Sequence, residues 1–228
     1  MKILKITFHG HACFSLHGKA GKVIIDPFLS GNPAADIKPS QVKVDVILVS
    51  HGHGDHLGDA IEISKSSGAL IIAPYELAVY CQRRGARSHA MHIGGGRRFP
   101  FGSVKLTQAL HGSAADEDPL VYTGNPCGFM INMDDKVVYH AGDTGLFGDM
   151  ELLGKLNFID LALLPIGDNF VMGPDDAVIA AQLLKPKMVI PMHYNTFEVI
   201  RQNPDEFAHK VELYSKPVIL KPGEYLEL

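Results

Sequence analysis

The distribution of apolar and polar residues divides the chain into short strands and helices. Residues 3–8 and 12–17 have the pattern of strands, and a third apolar run extends from Val23 to Asp26. These three runs predict an antiparallel meander at the start of the chain. A fourth run, from Val44 to Val49, is rich in β-branched residues and predicts a buried strand.

The pattern changes in the middle of the chain. After the fourth strand, Asp59 is a predicted N-cap for a helix that Gly68 ends, residues 69–73 form a short strand, and a second helix extends from Pro74 to Gly85. From His89 to Tyr139 the extended runs follow one another without helices, which predicts a second sheet. Its strands are expected at residues 89–93, 103–110, 127–133 and 136–140, with a hairpin turn at Asp134 and Asp135 between the last two.

The last third of the chain returns to alternating strands and helices. They are expected at 158–164 (strand), 174–184 (helix), 188–190 (strand), a helix that begins with Asn203 and Pro204, and short terminal strands. Together these elements predict an α/β fold in which two sheets pack face to face with helices outside both. Because no repeat or low-complexity linker divides the chain, we expect a single domain over residues 1–228.

Composition restricts the cellular setting. A chain of 228 residues can bury a core without disulfides, and its three cysteines, an odd number at wide spacing, are expected to be buried thiols in a reducing compartment. The segment MKILKITFHGHACF lacks the long apolar region of a signal peptide, and no later run is long enough to span a bilayer. The sequence therefore predicts a soluble cytoplasmic protein without membrane insertion.

Charge argues against a nucleic-acid partner. The formal net charge of −4 gives no overall attraction for a polyanion such as nucleic acid. The arginines that could form a local basic patch are interpreted as a solvated helix end and turn; they are Arg83, Arg84, Arg87, Arg97 and Arg98.

The strongest chemical signal follows the fourth strand. The sequence SHGHGDH places His51, His53, Asp55 and His56 in one loop, with glycines that allow a tight turn. Imidazole nitrogen and carboxylate oxygen are the ligands that hold zinc, manganese or iron. This loop is therefore a predicted metal-binding loop.

Three further potential ligands also lie where strands end. His111 follows the run SVKLTQAL, Asp143 follows VVYHAGD, and His193 follows the MVIP strand. A sandwich of two sheets can bring such loops to one rim. Asp26 also ends a strand, but because Pro27 follows it, a site residue and an ordinary turn residue are equally compatible readings.

In this order, the motifs SHGHGDH, a lone His after a strand, G-D-T-G and P-x-H resemble the metallo-β-lactamase superfamily. The segments F-H-G-H-A-x-F, I-I-D-P and PMHYNTF are further similar to small, uncharacterised metal-dependent hydrolases related to ascorbate-6-phosphate lactonase and to N-acyl-phosphatidylethanolamine phospholipase D. The resemblance implies a four-layered αββα sandwich of two mixed β-sheets. It also implies a binuclear centre with one ion on His51, His53 and His111, a second on Asp55, His56 and His193, and Asp143 between them.

The resemblance implies hydrolysis of an ester, lactone or phosphodiester bond of a small molecule by a hydroxide that bridges two divalent metal ions. Asp55 is expected to orient that hydroxide as well as to bind the second metal ion. His11 is expected to contact the substrate or transfer a proton. Zinc is the first expectation for both ions, while manganese, iron and nickel fit the same ligand types.

Two positions separate the chain from other branches of the superfamily. Asp143 stands where antibiotic-degrading lactamases commonly have a Cys, and His53 stands where the oxygen-reducing di-iron relatives have a Glu. The chain also has no room for their flavin domain, and neither the inserted domain of the β-CASP nucleases nor the arm of the tRNA-processing relatives can be found. Two alternatives stay open: a nuclease or cyclic-nucleotide phosphodiesterase, and a non-catalytic metal-binding or sensor protein.

Several features stay open at this stage. Asn195 and Thr196 fit either a role in orienting ligands or turn capping, and His9 has a weaker claim than His11 to a place in the site. The loops 28–41 and 113–126 would shape the pocket, so the sequence does not identify the substrate. A homo-oligomer formed through edge strands also stays open. The remaining histidines are interpreted as structural or exposed: His17, His89, His92, His140 and His209.

Overall fold

The computed structural model describes residues 3–228, so Met1 and Lys2 of the N-terminal segment discussed above lie outside the described residues. The strands are β1 (Lys5–Phe8), β2 (Phe14–Gly18), β3 (Gly21–Ile25), β4 (Val46–Leu48), β5 (Leu70–Pro74), β6 (Ser88–Met91), β7 (Gly96–Phe99), β8 (Gly102–Gln108), β9 (Ala114–Ala115), β10 (Val121–Tyr122), β11 (Cys127–Met133), β12 (Lys136–His140), β13 (Leu161–Pro165), β14 (Met188–Met192), β15 (Lys216–Pro217) and β16 (Tyr225–Glu227). The helices are α1 (Gly54–Leu57), α2 (Ala60–Ser67), α3 (Tyr75–Arg83), α4 (Met150–Leu156), α5 (Pro174–Leu184) and α6 (Pro204–Val211).

The first sheet has the strand order β16-β1-β2-β3-β4-β5-β6. Its first three strands in sequence form the predicted antiparallel meander, and β3 to β6 are parallel. The extended run at 89–93 was expected in the second sheet, and this expectation is wrong. Residues Ser88–Met91 instead pair with β5 at the edge of the first sheet, because the chain returns there after α3 as a parallel crossover.

The second sheet has the order β15-β14-β13-β12-β11-β8-β7. Its central hairpin turns at Asp134 and Asp135, as the sequence predicted, and the φ values of 52° and 65° place both residues in the left-handed region. The edge strand β7 contains Arg97 and Arg98, which were expected in a turn. That expectation is wrong, since these exposed charged residues occupy an edge strand, where such residues hinder pairing with other chains.

The main core lies between the two sheets. Large side chains from both sheets meet there, including the fully buried Phe14, Phe129 and Tyr139. A second apolar cluster packs α2 and α3 against the outer face of the first sheet, and α5 and α6 pack outside the second sheet. The fold is therefore the predicted four-layered αββα sandwich of two mixed sheets with helices on both outer faces. Across residues 3–228, none of the helices has the length and apolar character needed to cross a membrane.

Local signals at helix ends behave as physical chemistry predicts, with one exception. Gly68 ends α2 in the left-handed conformation, and the Asn203 side chain accepts a hydrogen bond from Asp205 N at the start of α6. Asp59 precedes α2 as expected, but its carboxylate accepts hydrogen bonds from the backbone of Leu29 and Ser30 instead of capping the helix. Asp59 therefore fixes the start of the 28–41 loop.

Candidate metal centre

The seven predicted ligands meet at one rim of the sandwich, five of them on loops and Asp55 and His56 in the short helix α1. His51 to His56 follow β4, Asp143 follows β12, and His193 follows β14. Because β12, β13 and β14 are parallel, the loops after them leave the same edge of the second sheet. His111, after β8, joins the group from the neighbouring part of that sheet. The structure therefore brings together residues separated by up to about 140 positions in the chain, as expected for loops at one end of a sandwich.

Glycines in the metal-binding loop make room for the segment that covers it. A Cβ atom on Gly52 would lie 2.1 Å from Thr123 Oγ1, and one on Gly54 would lie 2.5 Å from Asp116 Oδ2. The backbone N–H groups of the same two glycines donate to Ser113 Oγ at 3.1 Å and to Asp116 Oδ2 at 3.0 Å. The short β9-β10 hairpin region therefore packs directly on the metal-binding loop, which a side chain at either position would prevent.

The first group of ligands consists of three imidazoles. His53 Nδ1 lies 3.0 Å from His51 Nε2 and 3.3 Å from His111 Nε2. Zinc ligands that lie about 2.0–2.1 Å from the ion in a tetrahedron are separated from one another by about 3.3–3.4 Å. The nitrogen separations of this group therefore match the spacing of ligands around one ion.

The second group joins Asp55, His56 and His193, and it also includes His11. His193 Nε2 lies 3.8 Å from Asp55 Oδ2, while His11 Nε2 lies 3.2 Å from the same oxygen. One donor atom from each of the four residues lies within 4.8 Å of those of the others. His11 is thus adjacent to the predicted ligands of the second ion.

Asp143 lies between the two groups. Its Oδ2 atom is 3.6 Å from His111 Nε2 and 4.0 Å from His51 Nε2, and it is also 3.0 Å from His193 Nε2. Its Oδ1 atom is 3.2 Å from His56 Nε2. A carboxylate in this position can contact an ion on either side, which is the geometry that a bridging ligand needs.

Unpartnered atoms test whether these residues fit metal ions. Four of the buried polar atoms that lack a hydrogen-bond partner are His56 Nε2, Asp143 Oδ1 and both ring nitrogens of His193. The close approaches around Asp143 therefore do not all have the alignment of hydrogen bonds. Buried polar atoms without partners are unfavourable, so a cluster of them indicates a missing ligand such as a cation. The donor set of five imidazoles and two carboxylates fits divalent ions of the zinc and manganese type.

Asp26 and Ser50 fix the orientation of two ligands, a role that the sequence left undecided for Asp26 and did not suggest for Ser50. Asp26 Oδ2 accepts a hydrogen bond from His56 Nδ1 at 2.8 Å and another from Ser50 Oγ at 2.6 Å. Since the Ser50 hydroxyl donates to Asp26, its oxygen accepts from His51 Nδ1 at 2.9 Å. Both imidazoles therefore have Nδ1 protonated, so Nε2 of each faces the centre and is the nitrogen available to bind an ion, in His56 once the proton on Nε2 has been released.

The pairing of β3 and β4 explains this arrangement. Ile25 lies opposite Leu48 in parallel register, so the residues just beyond, Asp26 and Ser50, come together where the two strands end. The Ser50 N–H also donates to Asp26 Oδ1 at 2.7 Å. The sequence shows that both apolar strands end in a polar residue, but only their pairing shows that Asp26 and Ser50 are neighbours.

His11 links the first loop of the chain to the last. Its Nδ1 atom lies 2.9 Å from Thr196 Oγ1, and its backbone oxygen accepts a hydrogen bond from His193 N at 2.8 Å. Both His11 and His193 have positive φ values, 58° and 55°, which are uncommon for residues other than glycine and are typical of functional sites. Of the two residues left open after His193, Thr196 contacts this imidazole, whereas the side chain of the exposed Asn195 accepts from Gln202 N in a turn.

Burial controls the protonation of the imidazoles. It lowers the pKa of His51 and His111 and lowers that of His11 to about 4. Burial also opposes charge on His56, but the carboxylates of Asp143 and Asp26 outweigh it and raise the pKa of His56 well above the ordinary value. Three of these four imidazoles are therefore neutral at pH 7, as metal ligands must be.

Two other histidines near the N-terminal loop have structural partners instead. His9 contacts Asp36 Oδ1 at 2.7 Å and Ser15 Oγ at 2.9 Å. His140 is fully buried, donates from Nε2 to Ala12 O at 2.9 Å and accepts from Gly142 N at Nδ1. His140 thus joins the His11 loop to the Asp143 loop without facing the centre.

Comparison with known proteins agrees with the fold. The family model described as the beta-lactamase superfamily domain matches residues 5–193. The metallo-β-lactamase fold protein YhfI of Bacillus subtilis covers 100% of both chains with a TM-score of 0.75 at 12% identity, a likeness of fold alone. Fold and site together define a metal-dependent hydrolase of the metallo-β-lactamase superfamily.

Closer relatives identify the family. The UPF0173 metal-dependent hydrolase of Pelotomaculum thermopropionicum is 58% identical over 229 residues, 99% of this chain and 100% of the relative, and YtkL of Bacillus subtilis is 53% identical with the same coverage. Igni18, a metallo hydrolase from the archaeon Ignicoccus hospitalis, has a TM-score of 0.91 and 37% identity over 99% of this chain and 98% of its own. The chain belongs to the UPF0173 family of metal-dependent hydrolases, which confirms the resemblance found in the sequence.

Proposed function

We propose that this protein is a dinuclear hydrolase that cleaves an ester, lactone or phosphodiester bond of a small molecule. The observation that carries the proposal is the position of Asp143 between two groups of donors, His51 with His53 and His111 on one side and Asp55 with His56 and His193 on the other. A single ion would leave one of these groups without a partner. Two neighbouring cations account for all seven side chains.

Two bound divalent ions would supply a hydroxide at neutral pH and polarise the oxygen under attack. The protein's own residues then determine geometry. Asp26 and Ser50 hold the imidazoles of His56 and His51 in place. Asp55 would accept a hydrogen bond from the attacking water as well as binding the second ion. Although burial raises the pKa of Asp55, the hydrogen bond from His11 and the charge of His56 outweigh it and keep this carboxyl ionised.

His11 is the residue that we propose to act on the substrate, by contact or by proton transfer. Since Asp55 is ionised and His11 is neutral at pH 7, His11 holds its proton at Nε2, on the side of the centre, and Nδ1 accepts from Thr196. The variant His11→Gln should reduce kcat at least tenfold while the metal content stays at two ions per chain. A loss of metal in this variant would assign His11 to metal binding instead.

The identity of the ions and the compartment belong to the same proposal. Zinc is our first expectation, and manganese, iron and nickel fit the same donors. The three cysteines are buried and free, which supports a reducing cytoplasm as the place of action.

A metal-reconstituted substrate panel tests the proposed function. The metal-free protein would be loaded with zinc or manganese and assayed with p-nitrophenyl acetate, a simple lactone and bis(p-nitrophenyl) phosphate. We expect metal-dependent turnover of at least one of them and its loss in Asp143→Ala. Two bound ions with no turnover on any of the three would support a non-catalytic metal-binding protein instead, and unchanged activity of Asp143→Ala would refute the bridging role.

A further inference from the structure

Aromatic side chains lie beside the second group of ligands without binding to it. The ring of Phe28 is 5.7 Å from that of His11, the ring of Phe197 is 5.6 Å from it, and the two phenylalanine rings are 6.3 Å apart. Phe197 is 40% exposed and Phe28 is half-buried. An exposed aromatic pair next to a reaction centre offers apolar surface to whatever binds there.

Apolar side chains are also exposed on the loops at the other side of the centre. Leu110, next to His111, is 50% exposed, and its backbone bonds with Thr144 Oγ1 and Gly145 N, beside Asp143. Phe170 is 55% exposed on a turn that Met172 N joins to Thr144 O. Exposed apolar residues thus occur on four of the loops that carry or contact the ligands.

The same loops are strongly acidic. We consider residues 26–41, 50–59, 109–126, 141–149, 166–173 and 193–203, here called the rim loops. Their carboxylates are Asp26, Asp36, Asp55, Asp59, Asp116, Glu117, Asp118, Asp143, Asp149, Asp168 and Glu198. Lys38 and Arg201 are their only Lys or Arg residues.

Neither basic residue provides a free cation at the centre. Arg201 forms an ion pair with Glu198 at 2.8 Å. Lys38 directly precedes the short turn Pro39–Gln41, which packs against α2 in the outer layer. Arg and Lys side chains are the strongest partners for a phosphate or carboxylate substituent, and the rim loops contain only these two.

We propose that the substrate is an ester or lactone without anionic substituents, with an apolar group that packs against Phe28 and Phe197. This inference rests on the proposed hydrolase function and narrows its substrate class. The positive charge that two bound ions would supply lies at the reacting bond, while the exposed carboxylates of Asp116, Asp118, Asp149 and Asp168 repel an anionic group placed further out. Glu117 and Glu198 contribute less to this repulsion, because each forms an ion pair with an arginine. A phosphorylated sugar or a nucleotide is therefore a poor fit.

Matched esters test the charge preference. p-Nitrophenyl heptanoate and mono-p-nitrophenyl adipate have acyl chains of similar length, and only the second ends in a carboxylate. We expect kcat/KM of the zinc-loaded enzyme to be at least tenfold higher for heptanoate. From acetate to pentanoate it should rise by about two- to fourfold per methylene, as expected for partial to full burial of each CH₂. Equal or faster turnover of adipate would overturn the proposal.

Two substitutions and one control variant test whether residues of the rim loops cause the preferences for chain length and charge. Phe197→Ala should flatten the dependence on chain length, while Phe158→Ala should leave it unchanged. Phe158 is a matched control because it is 93% exposed and lies just before β13, at the opposite end of the sheet from His193. Glu198→Lys should raise kcat/KM for adipate several-fold with little change for heptanoate. An unchanged chain-length dependence in Phe197→Ala would refute the apolar contact.

A binding measurement separates this inference from the proposed function. Heptanohydroxamic acid and adipic monohydroxamic acid both bind metal through the hydroxamate, and only the second carries a carboxylate. Calorimetry on the zinc-loaded protein therefore measures whether the rim loops prefer a neutral chain to an anionic one, without requiring turnover. We expect at least tenfold tighter binding of the heptano compound. If this preference holds while no ester is cleaved, the reaction type is wrong and the rim inference stands. If esters are cleaved and the two hydroxamates bind equally, the rim inference fails and the hydrolase function stands.

Discussion

A 2.8 Å hydrogen bond from His56 Nδ1 to Asp26 Oδ2 joins two residues that lie thirty positions apart in the chain. Both residues are fully buried beneath the candidate metal centre. The same carboxylate binds the hydroxyl of Ser50, which in turn orients His51. Because His56 belongs to one ligand group and His51 to the other, one carboxylate sets the ring orientation of ligands to both predicted ions.

Replacing Asp26 by Asn should weaken binding of both ions. An amide N–H₂ facing His56 would favour the wrong imidazole tautomer, and loss of such an orienting partner typically reduces metal affinity by about 10- to 100-fold. Asn tolerates the positive φ of 44° at this position, so the backbone should stay intact. Chelator competition followed by elemental analysis measures the effect.

Asp36→Asn is the matched control for this variant. It alters another Asp–His pair, the contact with His9, which lies outside both ligand groups. Its metal affinity should equal that of the unmodified protein. Equal affinities of Asp26→Asn and Asp36→Asn would contradict the orienting role of Asp26.

Ser50→Ala should affect the two ions unequally. It removes the hydroxyl between Asp26 and His51 but leaves the direct bond from His56 to Asp26. We therefore expect affinity for the ion on His51, His53 and His111 to fall about tenfold, with the second ion retained. Absorption spectra of the cobalt-substituted protein during stepwise loading would resolve the two sites. A uniform loss at both sites would contradict this division.

The sequence was sufficient to predict that these seven residues lie close together, because they follow the ends of strands and because the spacing in SHGHGDH is specific. The role of Asp26 could not be predicted, since Asp before Pro also begins ordinary turns and only the register of β3 and β4 brings it beside Ser50. The helix α1, four residues long, was missed because its sequence, GDHL, is too short for a helical period and contains two of the ligands.

Strand pairing was harder to predict than the strands themselves. The run near His89 was correctly identified as extended, but the sequence contains no local signal for the sheet it joins. β7 was missed because Arg97 and Arg98 occupy consecutive positions, which hides the alternation of an edge strand exposed on both faces. In both cases the position of the segment was determined by pairing with a strand that is distant in the sequence, and not by the local preferences of its residues.

The thiols should be unreactive in the folded protein. Cys13, Cys81 and Cys127 are buried, as the sequence predicted, and burial raises the pKa of each thiol, that of Cys81 to about 12. Since the thiolate is the reactive form, we expect negligible reaction with Ellman's reagent at pH 8 and three equivalents after unfolding in guanidinium. Fast labelling of the native protein would show that at least one of these cysteines is accessible.

Binding of the second ion should release a proton. In the metal-free protein, burial disfavours the charged form of His56, but the carboxylates of Asp143 and Asp26 outweigh it and raise its pKa, so this imidazole is protonated at pH 7. An ion on Nε2 must displace that proton, and affinity should therefore rise with pH until the pKa of His56 is passed.

The first ion offers an internal comparison for this proton release. Burial lowers the pKa of His51 and His111, so these ligands are already neutral and should release no proton at pH 7. Zinc titrations by calorimetry in two buffers of different ionisation enthalpy count the protons. We expect about one proton for the second ion and none for the first. Heats that are independent of the buffer in both phases would show that His56 is neutral before the metal binds.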